Sequence, residues 1–67
     1  MLKEKNELID SKCFASLILD YDIPASPFCD RYVSCRVLID GCYDGYIITN
    51  SVEKAIEIFR SGKWERK

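Results

Sequence analysis

Phe14-Ala15-Ser16-Leu17-Ile18-Leu19-Asp20-Tyr21 is the stretch on which the fold turns, because it can be read in two ways. As a strand, it sets Ala15, Leu17, Leu19 and Tyr21 on one face, the period-two spacing of a half-buried sheet segment. As a helix, it continues a four-residue recurrence of Ile9, Cys13, Leu17 and Tyr21 that starts near the N-terminus. Period alone does not arbitrate so short an apolar run. We read a strand over residues 14–21, because Asp20-Tyr21-Asp22-Ile23-Pro24 has the composition of a strand exit and the strand that follows needs a partner.

Toward the C-terminus, Pro24-Ala25-Ser26-Pro27 is a loop, since each proline pushes the residue before it out of helical geometry. Residues 32–40 form the clearest strand. Val33, Cys35, Val37 and Ile39 point one way, and Tyr32, Ser34, Arg36, Leu38 and Asp40 the other. Two turn signals follow, Asp40-Gly41 and Asp44-Gly45, so the hairpin pairs either Ile39 with Cys42 or Asp40 with Gly45. Both registers put Tyr46 and Ile48, on a strand over 45–49, on the face of Val37 and Ile39. Residues 51–61 form a helix capped by Asn50 or Ser51, with Glu53 completing a capping box from Asn50. Val52, Ala55, Ile56 and Phe59 make its core-facing stripe, and Gly62 ends it ahead of a tail over 62–67. Trp64 is expected to fold back over the sheet and the helix end.

Toward the N-terminus, residues 1–12 read as a short helix. Leu2, Leu8, Ile9 and Cys13 form a loosely apolar side, and Lys3, Glu4, Lys5 and Glu7 face water. The expected architecture is therefore α+β: a single domain over 1–67, with a three-stranded antiparallel sheet, an N-terminal and a C-terminal helix, and the order α-β-β-β-α.

Composition narrows the function classes. At 67 residues, 48% apolar and net charge −1, the chain has too much apolar content for disorder and is too short for more than one domain. Its longest apolar run is far below the ~20 residues of a membrane-spanning helix. The charged opening Met1-Leu2-Lys3-Glu4-Lys5-Asn6-Glu7 does not suit a signal peptide, so a cytoplasmic location is expected. No histidine is present, which removes the usual general base and nucleophile partner, and no enzyme activity or cofactor is expected. Cys13, Cys29, Cys35 and Cys42 lack the close ligand pairs of a zinc turn and read as free thiols without a metal. A small domain held by zinc or a disulfide through Cys29, Cys35 and Cys42 is the alternative.

The charge is unevenly distributed. Residues 1–12 balance, 13–50 carry a net −3 and 51–67 a net +2. Acidic turns could meet a basic surface such as the nucleic-acid groove of another protein. The tail, with Trp64 among interleaved charges, is a poor footprint for direct nucleic-acid binding, although a small nucleic-acid-binding regulator stays as a third reading. Tyr32, Leu38, Tyr43 and Ile47 point away from the face the last helix should cover. That leaves a second apolar face to serve as core, homodimer interface or docking surface. The candidate partner-binding residues are Asp20, Asp22, Asp40 and Asp44 at the turns, with Tyr21, Leu38 and Tyr43 as anchors.

The run from Gly45 through Thr49 and Ser51 to Phe59, with the Gly62-Lys63-Trp64 tail, resembles the strand-to-capped-helix unit of very small phage and mobile-element proteins. With the α-β-β-β-α order it is similar in layout and size to anti-CRISPR inhibitors. That resemblance implies a non-catalytic phage inhibitor in the host cytoplasm, whose partner is a nuclease or nucleic-acid-binding effector of a CRISPR or related defence system.

Overall fold

In the computed structural model, which describes residues 4–66, the ambiguous stretch is a strand. The elements are β1 (Glu7–Lys12), β2 (Ala15–Ile23), β3 (Tyr32–Ile39), β4 (Cys42–Thr49), α1 (Val52–Ser61) and β5 (Glu65–Arg66). The strands form one antiparallel sheet in the order β1-β2-β3-β4-β5, and α1 lies across one face. The fold is thus five strands and one helix, mostly sheet, and not a three-stranded sheet between two helices.

The correction falls at both ends. Residues 7–12, expected in a helix, are β1, paired antiparallel with β2; residues 1–3 lie outside the described residues. The physical reason is β2. Its outer edge offers a row of backbone N–H and C=O groups, whereas a twelve-residue helix with a thin apolar stripe is marginal in water. The β1–β2 connection is a two-residue turn at Cys13-Phe14, and Cys13 takes the left-handed φ of 55° normally left to Gly or Asn. No sequence cue for a hairpin stands there. At the other end, the expected tail contributes β5, paired with β4 at Gly45 and Tyr46. A Cβ at Gly45 would run into the Glu65 carbonyl and the Trp64 ring, so only glycine admits β5 at this distance.

The β3–β4 hairpin settles the register and overturns a facing. Asp40 and Gly41 have φ of 52° and 79°, the pair of positive values a type I′ turn demands, and Ile39 pairs with Cys42. Two residues on, the ladder slips: Leu38 pairs with Tyr43 but Val37 with Gly45, leaving Asp44 as the extra residue of a bulge. One inserted residue reverses every later side chain. Gly45 and Ile47 therefore share the face of Val37 and Cys35, while Tyr46 and Ile48 lie on the opposite one, the reverse of the sequence expectation; Ile47, expected on the uncovered face, is in the core.

The core is that shared face. Leu17, Leu19, Val33, Cys35, Val37 and Ile47 are buried beneath Ala55 and Phe59 of α1, with Val52, Ile56, Ile58 and Trp64 packed around them. Ser51 caps α1, its hydroxyl accepting from the Lys54 N–H at 3.1 Å, so neither Asn50 nor the Glu53 capping box is used. Gly62, at φ 72°, closes the other end, and Lys63 N–H reaches back to the Ile58 carbonyl. Trp64 does fold back: its ring lies 5.8 Å from that of Phe59. Among the described residues, no helix is long and apolar enough to cross a membrane.

Candidate functional site

Five strands alternate their side chains between two faces, and α1 covers one of them. Across the other, the register sets Leu8, Ile18, Arg36, Tyr46 and Glu65 in one row from β1 to β5. Ser11, Ser16, Leu38 and Tyr43 form the row on one side, and Tyr21, Ser34 and Ile48 the row on the other, with Ile23 and Tyr32 beyond. Solvent-facing strand positions are usually polar. Here most are aliphatic or aromatic, and exposure stays high: Leu8 59%, Ile48 53%, Tyr43 41%, Tyr32 40% and Tyr46 38%. A contiguous apolar face of this kind, rich in tyrosine around an arginine, has the composition of a protein-docking surface.

Arg36 sits at its middle and is held from within the chain. Its Nε donates to both Asp20 carboxylate oxygens, at 2.8 and 3.1 Å, and one terminal nitrogen donates to Asn6 Oδ1 at 2.6 Å, with Glu4 at 3.9 Å. Asp20 is the extra residue of a bulge between Leu19 and Tyr21, and is only 8% exposed. Bulge and ion pair go together: the irregular strand leaves a carboxylate free to turn toward the guanidinium.

The expected site residues separate into two groups. Tyr21, Leu38 and Tyr43 are brought together on this face, Leu38 and Tyr43 as a direct cross-strand pair. The aspartates mostly serve the fold instead. Asp20 holds Arg36. Asp22 holds Arg31 through two bonds of 2.8 and 2.7 Å, and those hydrogen bonds keep its carboxyl below the usual range. Asp44 accepts from Trp64 Nε1 at 2.7 Å and from the Arg66 guanidinium, fastening β5 to the β4 bulge. Asp40 occupies the exposed hairpin turn. With Asp10 holding Arg60, each of the four arginines is paired to a different aspartate.

Sequence reasoning missed Leu8, Ile18, Tyr46 and Ile48. The signal was present but misread: Asp44-Gly45, taken as a turn dipeptide, marks the bulge that turns Tyr46 and Ile48 outward.

Other chemistry is thinly represented. Cys13, Cys29 and Cys42 are exposed free thiols, and among the described residues no three His, Cys, Asp or Glu side chains converge as a metal site would need. Cys35 is fully buried, and burial pushes its thiol up to about 11, leaving it protonated and unreactive near neutrality. A dent of about 230 Å³ between the Cys13 turn and the end of α1 is lined by Lys12, Phe59, Arg60 and Trp64. Its cations are engaged, Lys12 Nζ with the Arg60 carbonyl at 3.1 Å and Arg60 with Asp10 at 3.0 Å. Compared with known protein families, curated proteins and solved structures, the chain matches none.

Proposed function

We propose that this chain is a non-catalytic protein-binding module whose docking surface is the open face of its sheet. The observation that supports it is the row of Leu8, Ile18 and Tyr46, flanked by Leu38, Tyr43 and Ile48, around an arginine already neutralised by Asp20. Tyrosine and arginine anchors over a desolvated apolar surface carry much of the energy in protein interfaces.

The charge pattern disfavours a nucleic-acid regulator. A tyrosine-bearing sheet can stack bases, but such platforms need cations tracking the phosphates, and every arginine here faces an aspartate. The partner class that the likeness to anti-CRISPR inhibitors suggests, a nuclease or nucleic-acid-binding effector, would be met by apolar docking. A DNA-like array of carboxylates is a weaker basis, because Asp20, Asp22 and Asp44 are bound within the chain. The element order that carried part of that likeness, α-β-β-β-α, is also not the order found.

The test is comparative capture. Immobilised wild-type chain and the face variants Tyr46→Lys and Ile48→Lys are challenged with proteins of the source cell, with Phe28→Lys, 93% exposed on the β2–β3 loop and outside the strands, as control. A protein retained by wild type and the control but lost from both face variants supports the reading. Retention on all four moves the docking surface elsewhere.

A further inference from the structure

We infer that the occupant of the open sheet face is a second copy of this chain, packed face to face about a twofold axis. The inference rests on the docking reading above and names the partner it leaves open.

Area is the first argument. At ~200 Å² for a fully exposed large side chain, the exposures of Leu8, Tyr32, Tyr43, Tyr46 and Ile48 leave about 460 Å² uncovered per copy. Two copies bring about 920 Å² from these five alone, and their half-buried neighbours Ile18 and Leu38 bring the total to about the ~1,000 Å² a specific interface must reach. The patch thus lies within the range of a small isologous dimer.

Charge is the second. An isologous contact sets each group near its own equivalent, so an uncompensated charge at the centre of the face would oppose it. Arg36, the charge in the middle of the row, is neutralised inside its own copy by Asp20, and Glu65 stands at the row's far end on β5. The whole chain carries only −1, so two copies repel each other little at any range.

Geometry is the third. Antiparallel sheets pack face to face about 10 Å apart when their inner positions are aliphatic and aromatic, as in a sandwich. Each copy then has its helix on the outside, and the fold becomes four layers with both sheet faces covered.

Sedimentation equilibrium of the full chain over the micromolar to millimolar range tests this. The expected result is a species of twice 7.8 kDa, returned to monomer by Ile48→Lys and by Tyr46→Lys, each weakening self-association at least ~100-fold. Far-ultraviolet circular dichroism of each variant must match wild type, and Ile48→Ser provides a milder substitution should a lysine unfold the chain. Phe28→Lys should remain dimeric. A wild-type monomer throughout that range, or a dimer untouched by all three face variants, overturns the inference. A monomer whose capture of a foreign protein still depends on Tyr46 and Ile48 overturns only the second copy and leaves the docking face standing.

Discussion

The two faces of the sheet are built from similar residues and meet different fates. Under α1, Leu17, Leu19, Val33, Cys35, Val37 and Ile47 are closed off from water. On the other side, Ile18, Leu38, Tyr43, Tyr46 and Ile48 are no less apolar, yet they stay half-buried or exposed, and α1 packs on the opposite face. A helix about 10 Å across lies over roughly two strands, and this sheet has five with a single ten-residue helix. The difference teaches that hydrophobicity per strand position does not decide burial here; the supply of covering elements does.

The sharpest way to break that comparison is to remove the cover. Phe59→Ala takes away the largest fully buried side chain on α1 and should cost about 3–5 kcal/mol, close to the whole stability of so small a domain. Urea unfolding followed by circular dichroism should find the variant unfolded or nearly so at 25 °C. A loss under about 1 kcal/mol would mean that the helix is not what closes the core.

Asp20→Asn probes the open face and should cost less, about 1–3 kcal/mol. It removes the charge that Arg36 is bound to, but the Arg36 side chain keeps 36% of its surface in water, which relieves part of the loss. An effect as large as that of Phe59→Ala would show that the ion pair, and not packing, organises this side of the sheet.

The smallest effect concerns Cys35. Its folded value of about 11 lies above the ordinary 9.0, so the unfolded chain gives up the thiol proton first as pH rises. Stability should be fully present below about pH 9 and decline between there and about pH 11, by up to roughly 2 kcal/mol. Chemical denaturation across that window, compared with Cys35→Ala, isolates this contribution from tyrosine and lysine ionisation. Equal slopes for the two proteins would place water beside Cys35 and undo the contrast between the faces.

Legibility followed the range of the physics. The helix over residues 52–61 was readable because its stripe, Ser51 cap and Gly62 stop all act within a few residues. The Tyr32–Ile39 strand and the Asp40-Gly41 turn were readable for the same reason, alternation and positive φ being local properties. The N-terminal strand was not, because Glu7–Lys12 has no strong preference of its own and is extended only because β2 offers an edge. Within the candidate site, Leu38 and Tyr43 were found from alternation; Tyr21, which alternation set beside Leu17 and Leu19, is turned to the open face by the Asp20 bulge, as Tyr46 and Ile48 are by the bulge at Asp44.

By itself, the sequence determined that this is one small chain with more apolar surface than one helix can hide, without histidine chemistry, and with a well-capped C-terminal helix. Tertiary structure alone decided the rest: that the sheet has five strands, that Asp20, Asp22 and Asp44 are tied to arginines, and that Tyr46 and Ile48 face outward. The reason is physical. Caps, turns and periodicities are set by neighbours along the chain, whereas strand pairing, bulges and ion pairs depend on partners up to fifty residues apart that only the closed fold brings together.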